Sequence, residues 1–247
     1  MLERGLGKVN GVHLTKADFS NDEHWCDICA KVKCKNRHHK RRPVPDAGWP
    51  DHPNMIHATD TMGRESITSF WGERYCTVVK DHHDGRTWAY AHRHKDDISE
   101  VLEEHEHDAL VDARLSKFYR EYGGTVDFPV KAYRNDNAGE FVGQPEQHRR
   151  RESRVATQPT VPNYGHGQQN AVAERGIALV RTISNAIVHS DMHNIPSKYA
   201  KRLWPYADKH ATNLLLLRPS RSNTGSASPA EVRYADGEGG RSPAWVS

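Results

Sequence analysis

The sequence predicts an α/β fold in which helices pack on a mixed sheet. Three observations carry this prediction. Short segments rich in β-branched and aromatic residues follow residue 50, longer segments with apolar residues at helical spacing come between and after them, and glycine-containing turns separate the segments. The predicted order is strand, strand, strand, helix, strand, loop, helix, which gives the helices a sheet to cover.

Four strands are predicted from the local sequence. Residues 56–63 form an extended stretch, and residues 75–79 carry the β-branched and aromatic sequence YCTVV. The pair Asp84-Gly85 is typical of a hairpin turn, so residues 87–90 are predicted as the returning strand. Residues 128–133 form the fourth strand.

Helices are predicted over residues 96–122, 168–189 and about 199–217, where apolar side chains recur at helical spacing. Gly123-Gly124 ends the first helix, since glycine accepts the left-handed conformation found after helices. The second helix has the clearest apolar stripe and an opposite polar face. Residues 142–167 are predicted to be a loop.

The composition divides the chain into three segments. Residues 1–48 are expected to be a small N-terminal appendage with a linker, residues 49–220 the folded core, and residues 221–247 a flexible, Ser-, Gly- and Pro-rich tail. Proline is dense over residues 43–54 and predicts a stiff linker, because each ring fixes φ and removes a hydrogen-bond donor.

Composition also excludes several classes of protein. The 247 residues are 36% hydrophobic and 27% charged, with 17 His and a net charge of +3, and the mean hydropathy is -0.86. The longest aliphatic run, Leu214–Leu217, is far shorter than a membrane helix. No apolar segment follows residues 1–5, so no secretory signal is expected, and four Cys do not make a disulfide scaffold. A soluble intracellular protein is therefore expected.

Three acids are candidates for metal chemistry. Asp60 lies in an extended stretch, Asp136 directly follows a short strand, and Glu174 lies in the first turns of the amphipathic helix. Carboxylates that meet at one sheet edge repel each other unless cations bind, and such oxygen ligands suit Mg²⁺. Two ions about 4 Å apart can activate a nucleophile and stabilise the leaving oxygen of a phosphodiester. Taken singly, each acid is interpreted as a turn residue or a solvated charge, and it is the surrounding residues, not the spacing, that favour metal chemistry.

The residues around the three acids resemble the integrase of copia-type LTR retrotransposons, a group of D-D-E transferases. Two motifs carry the resemblance: RNDNAGEF at Arg134–Phe141 and QQNAVAER at Gln168–Arg175, with 37 residues between the second and third acids. The other matching blocks, in chain order, are Ile56–Gly63, Arg74–Asp81, Thr87–Tyr90, Leu203-Trp204, Asn213, Pro219 and Ser228–Glu231. Together they cover roughly residues 24–236.

The resemblance implies an RNase H-like fold with a mixed five-stranded sheet flanked by helices. It also implies a polynucleotidyl transferase whose three acids bind Mg²⁺ or Mn²⁺ and catalyse attack of a 3′-hydroxyl on a phosphodiester. Asn170 and Arg175 are the implied neighbours of the third acid, positioning it or contacting DNA. Arg181, on the same helical face as the third acid, is a phosphate contact or an ordinary solvated charge.

Partners and location follow from the same resemblance. The expected partners are element cDNA ends, target duplex DNA and further copies of the chain, with no membrane. The expected location is the nucleus, after a cytoplasmic stage in a virus-like particle.

Substitutions within the motifs keep two other functions open. The resembling family has glycine where this chain has Ala138 and Ala171, and glycine there permits close backbone approach or positive φ. Lys80 stands where an acid is frequent. The alternatives are a catalytically inactive DNA-binding remnant of a decayed polyprotein and an RNase H-like nuclease that cuts without joining.

A cysteine pair near the N-terminus is a candidate zinc site. Cys26 and Cys29 form a C-x₂-C pair, a spacing that suits tetrahedral zinc. The resembling family completes the site with two upstream histidines, for which this chain offers only His13 and His24. A degenerate, metal-free remnant is the alternative. Cys76, inside a strand, is predicted to be a small core residue.

Two basic runs, residues 35–42 and 148–151, are candidates for DNA-backbone contact or nuclear localisation. The alternative is a solvated charge run. The sequence shows no segment in which aromatic and basic residues alternate, so no stacking surface for single strands is expected.

Overall fold

A computed structural model describes residues 50–135, 141, 143–159, 171–190 and 195–235. Its centre is a five-stranded sheet of order β3-β2-β1-β4-β5. The strands are β1 (Ile56–Met62), β2 (Tyr75–Asp81), β3 (Thr87–His92), β4 (Ala132–Asn135) and β5 (Ala156–Pro159). The pairs β1–β2 and β2–β3 are antiparallel, whereas β1–β4 and β4–β5 are parallel. The predicted mixed five-stranded α/β fold is therefore confirmed.

Seven α-helices accompany the sheet in the described part of the chain. They are α1 (Ile98–Arg114), α2 (Lys117–Glu121), α3 (Gln144–Ser153), α4 (Ala171–Ser190), α5 (Ser197–Ala200), α6 (Trp204–Leu217) and α7 (Pro229–Tyr234). No helix among the described residues is long and apolar enough to cross a membrane.

The two faces of the sheet carry separate cores. Successive side chains of a strand point to opposite faces. Val79 and Trp88 belong to a buried cluster with Leu102 of α1, whereas Val78 belongs to a second cluster with Val180 of α4 and residues of α6. Helix α1 therefore covers one face, and α4 and α6 cover the other. Cys76 is fully buried in the second cluster, as predicted for a core residue, and burial raises the pKa of its thiol.

The prediction of one helix over residues 96–122 was wrong, because the helix is interrupted. Helix α1 ends at Arg114, and the hydroxyl of Ser116 accepts a hydrogen bond from the backbone N–H of Tyr119 to begin α2. A capping serine competes with the helical backbone and restarts the chain in a new direction. The predicted end at Gly123-Gly124 is confirmed, since both residues have positive φ.

The prediction of a loop over residues 142–167 was also wrong in its described part, which contains α3 and β5. Helix α3 is held by charge rather than by an apolar stripe. Arg149 and Arg150 both donate to Glu146, whose side chain is 1% exposed, and Arg149 also donates to Glu106 of α1 at 2.5 Å. Half of the second basic run is therefore engaged in internal ion pairs instead of facing solvent or DNA.

The fourth strand lies later than predicted, at residues 132–135 instead of 128–133. Phe128 and Val130 are buried before the strand begins. Their apolar side chains belong to the core, although they precede the hydrogen-bonded strand. The local apolar pattern therefore predicted a strand that begins too early.

The flexible tail predicted from residue 221 begins too early. Ser228 and Glu231 form a capping box that starts α7, and the side chain of Arg233 in this helix is fully buried. Its guanidinium lies 2.5–2.6 Å from carboxylates at the end of β2, in the β2–β3 turn and in α1. The described fold therefore extends beyond residue 220 to the end of α7.

A buried chain of polar side chains joins the sheet to α1. His57 Nδ1 lies 2.7 Å from His105 Nε2, and the Tyr90 hydroxyl lies 3.1 Å from His105 Nδ1 while donating to Asp108. Because that hydroxyl gives its proton to Asp108, it accepts from His105 Nδ1, which leaves Nε2 to accept from His57. Burial favours the neutral form of His105, in which Nδ1 carries the proton donated to Tyr90 and Nε2 is an acceptor.

We expect these connected polar side chains, through His105, to make the protein less stable in mild acid. Burial lowers the pKa of His105 below its usual value of 6.5, so between about pH 7 and 5 the unfolded state takes up a proton that the native state does not. This contributes a loss of up to about 1.4 kcal/mol per pH unit. His105→Gln keeps hydrogen-bonding groups without titrating, and its free energy of unfolding should fall less steeply with acidification.

The measurement is urea unfolding of both proteins at several pH values. Asp208, whose pKa burial raises to about 6, contributes in the opposite direction, because the native state binds its proton more readily. That contribution is common to both proteins and disappears in the difference. Equal slopes for the two proteins would contradict a neutral buried His105.

Candidate functional site

Asp60 is placed on the central strand of the sheet, facing α4. It is half-buried in β1 and lies opposite Val78 of β2 in the antiparallel register. Residues paired in this way point to the same face. A Cβ atom added at Gly176 of α4 would lie 3.4 Å from Val78 Cγ1, so α4 approaches β2 closely at this point. The side chain of Asp60 therefore shares its face with α4.

Glu174 lies in the first turn of α4 and is exposed. It precedes Gly176 by two residues, about 200° around the helix axis, so its carboxylate does not point into the contact between α4 and β2. It makes no ion pair with another described residue. Within the described ranges, no three His, Cys, Asp or Glu side chains are grouped closely enough to hold a metal ion.

Several predicted site residues lie outside the described residues. These are Asp136, Asn170, Cys26 and Cys29. Strand β4 ends at Asn135, directly before Asp136 in the chain. The described site therefore contains two of the three predicted acids, and the predicted zinc pair lies outside it.

The two predicted DNA-binding arginines of α4 differ in their surroundings. Arg175 is exposed at the start of the helix. Arg181 donates to Glu65 at 2.5 Å and so ties α4 to the loop between β1 and β2. Burial raises the pKa of Glu65, whereas Arg181 lowers it. Arg181 is therefore not an ordinary solvated charge. To contact a phosphate, it would have to give up its ion pair with Glu65.

In the sequence, Lys80 stands out only because the resembling family frequently has an acid at this position. It lies opposite Ala58 in the register, on the same face as Asp60, and its Cδ would be 3.6 Å from a Cβ at Gly176. Burial lowers its pKa, and the charge of Arg175 lowers it further. The period-two alternation that places Val78 in the core also places Lys80 beside the start of α4, so this signal was available in the sequence.

The described donors suit a hard divalent cation. Carboxylate oxygens at Asp60 and Glu174 are the ligand type that Mg²⁺ and Mn²⁺ prefer, and the exposure of Glu174 leaves room for metal-bound water. No thiol or imidazole, which would favour a softer metal, stands at these two positions. The donor set therefore fits the metal implied by the sequence motifs.

Gly176 controls how closely α4 approaches the sheet, which gives a direct prediction. Gly176→Ala should be neutral or stabilise by up to about 1 kcal/mol, because the added methyl meets ordinary contacts and helix propensity improves. Gly176→Leu should destabilise by about 1–3 kcal/mol, since its side chain must displace Val78 and Lys80. Urea unfolding of both variants measures this. Equal stability of the two would show that α4 does not pack this closely.

No family model and no curated protein matches the chain. Many solved chains are similar to it, among them the following two. The catalytic core domain of the HTLV-2 integrase, solved in complex with magnesium in a trimeric form, has 16% identity and a TM-score of 0.47 over 72% of this chain and 94% of that one. A chain of the simian T-cell lymphotropic virus intasome, solved in complex with PP2A regulatory subunit B56 gamma, has 16% identity and a TM-score of 0.51.

The intasome match covers 89% of this chain and 66% of the other. At this identity the likeness concerns the fold. The chain shares the fold of that intasome chain and has a mixed five-stranded α/β sheet flanked by helices.

Proposed function

We propose that the chain is a metal-dependent polynucleotidyl transferase of the copia-type integrase class. It would join a 3′-hydroxyl end of element cDNA to a phosphodiester of target DNA. The observation that carries the proposal is the position of Asp60: on the central strand of an integrase-like sheet, facing the helix that bears Glu174, between β2 and the strand that ends directly before Asp136.

The parallel register of β1 and β4 supports a role for Asp136. Ala58 pairs with Arg134, so both residues lie on the face of Asp60. In an extended chain the side chain two positions further returns to the same face. This alternation supports the proposal that Asp136 joins Asp60 as a metal ligand.

Each acid would have a distinct task. A pair of divalent ions, when bound, would activate the attacking hydroxyl and stabilise the leaving oxygen. Asp60 would hold a fixed position, because both of its neighbouring strands restrain β1. Glu174 would complete the site from the solvent side, and the exposed Arg175 beside it would contact the DNA backbone.

The wider proposal includes the nucleus as the place of action and self-association of the chain. An integrase acts on two DNA molecules at once, so several copies are needed to hold the cDNA ends and the target duplex together. The N-terminal Cys26 and Cys29 are retained in the proposal as a zinc pair.

The test is a strand-transfer assay with the purified chain, a labelled 3′-hydroxyl DNA end and a target duplex, with and without Mg²⁺ or Mn²⁺. We expect joined products that require the metal. Glu174→Gln should reduce joining by about 10²- to 10³-fold or more, because it removes a metal ligand. Glu100→Gln, an exposed acid in the first turn of α1, is the matched control and should join normally.

The products distinguish the other two candidate functions. Cleaved but unjoined DNA would identify a nuclease and contradict transfer. Salt-sensitive DNA binding without any metal-dependent product would identify an inactive DNA-binding remnant.

A further inference from the structure

Four exposed aromatic rings form a continuous row at one end of the sheet. Phe70 and Trp71 lie in the loop between β1 and β2, Tyr199 in α5 and Tyr206 in α6. Their exposed fractions are 41%, 48%, 41% and 55%. We call these four residues the aromatic row. A contiguous group of exposed rings on a soluble fold is uncommon and marks a contact surface.

The rings contact one another in chain-distant pairs. The Phe70 and Tyr199 centroids are 6.2 Å apart with planes inclined by 20°, and the Trp71 and Tyr206 centroids are 5.1 Å apart. Phe70 and Trp71 are 6.0 Å apart and link the two pairs. Trp71 and Tyr206 line a surface pocket in which a flat group can stack, whereas Arg202 and Lys198 already lie over the Phe70 and Tyr199 rings.

The loop is held in place by the short turn between α5 and α6 and by the first residue of α6. Arg202 donates to the backbone carbonyls of Thr68 and Ser69, and the Trp204 indole donates to the carbonyl of Ile67. The aromatic row is therefore organised before any partner binds, which reduces the entropy lost on binding.

Positive charge borders the row. The Arg202 guanidinium lies 4.6 Å from the Phe70 ring, and the Lys198 ammonium lies 4.6 Å from the Tyr199 ring. Arg93 is exposed and approaches Gly72, next to Trp71. Rings with cations beside them suit a partner that offers flat faces and negative charge together.

We propose that the aromatic row binds an unpaired nucleic-acid strand, with bases stacked on the rings and phosphates near Lys198 and Arg93. In a duplex the bases are stacked inside the helix, so the rings would contact mainly the sugar-phosphate backbone. A second copy of the chain is a poorer occupant, because a two-fold contact through this surface would bring two sets of these cations into one interface. The proposal requires no metal and does not depend on the carboxylate site.

The experiment uses the full chain in EDTA, with a fluorescent oligo-dT of about 12 nucleotides, a length within the usual site sizes. Fluorescence anisotropy measures binding to the single strand and to its duplex with oligo-dA. We expect the single strand to bind more tightly than the duplex. Trp71→Ala should weaken its binding by roughly 5- to 100-fold, the range for loss of one stacked base.

Two further variants separate stacking from other contacts. Tyr206→Leu keeps apolar area but loses the ring, so it should also weaken binding, whereas Trp71→Phe keeps a ring and should bind within about threefold of wild type. Lys198→Ala should reduce the dependence of log affinity on log salt by about 0.7. Tyr122→Ala is the matched control, since Tyr122 is an exposed ring that contacts Phe128 instead of the row.

Three results would overturn the proposal. One is wild-type binding that is equal for the single strand and the duplex. Another is unchanged affinity in both Trp71→Ala and Tyr206→Leu, with urea unfolding showing both folded. The third is loss of self-association in these variants, measured by analytical ultracentrifugation, without loss of oligonucleotide binding, which would make the row a protein interface.

Discussion

Asp60→Asn is expected to abolish metal-dependent joining while leaving the fold intact. The substitution keeps the size and shape of the side chain but removes the charge that a divalent ion requires. Since both neighbouring strands restrain β1, no nearby backbone can move to supply another ligand. We expect strand transfer to fall by about 10²- to 10³-fold or more, and the same loss for Asp136→Asn.

The control separates chemistry from folding. Urea unfolding of Asp60→Asn should lie within about 0.5 kcal/mol of wild type, because the side chain is only half-buried. Asp96→Asn, an exposed acid before α1, should join normally. Binding of Mn²⁺ followed by electron paramagnetic resonance gives a readout independent of catalysis. Normal joining by Asp60→Asn would rule out the proposed metal site.

Arg233→Met is expected to give the largest loss of stability. The fully buried guanidinium lies 2.5 Å from Asp81, 2.6 Å from Asp84 and 2.5 Å from Asp112, with its charge 5.4 Å from the Trp88 ring. Removing the cation leaves three acids facing one another without their partner. Breaking one buried pair costs about 3–5 kcal/mol, and domains have only about 5–15 kcal/mol in total.

Urea unfolding measures this loss of stability, and two further variants serve as comparisons. Arg233→Lys keeps the charge but not the forked geometry, so we expect an intermediate stability. Arg218→Met removes an exposed arginine just after α6 and should change the free energy of unfolding by less than about 0.5 kcal/mol. Wild-type stability in Arg233→Met would show that α7 is not held by these carboxylates.

Local sequence predicted the elements whose apolar pattern agrees with their final packing. Strands β2 and β3 follow from the β-branched and aromatic residues of β2 and from the Asp84-Gly85 turn, and β1 lies within the extended stretch predicted over residues 56–63. Helix α4 follows from its apolar stripe. In each case the side chains that define the local pattern are the ones that the sheet and helices bury, so the local and tertiary preferences coincide.

Elements stabilised by partners distant in the chain could not be predicted in the same way. Helix α3 has no apolar stripe and is held by Glu146 with its two arginines and by Glu106 of α1. Helix α7 depends on Arg233 and its acids more than a hundred residues earlier in the chain. Polar composition in both segments resembled a loop or a tail, because an arginine looks solvated until its carboxylates are known.

The same distinction between local patterns and contacts distant in the chain applies to the candidate site. The motifs around Asp60, Asp136 and Glu174 resemble those of an integrase family, and this resemblance implied the mixed five-stranded α/β fold that the structure shows. The register added that Asp60 faces α4 and that Lys80 shares this face. The side-chain contacts showed that Arg181 is paired with Glu65, which spacing alone left open.

The sequence by itself determined the fold class and which carboxylates are candidates for metal chemistry, because strand alternation and motif order are local properties. Only the tertiary structure decided which cations are exposed and which rings meet. Phe70 and Trp71 lie more than a hundred residues before Tyr199 and Tyr206, so no segment of sequence contains the aromatic row. Packing of α5 and α6 against the β1–β2 loop creates it, and that packing depends on contacts between distant parts of the chain.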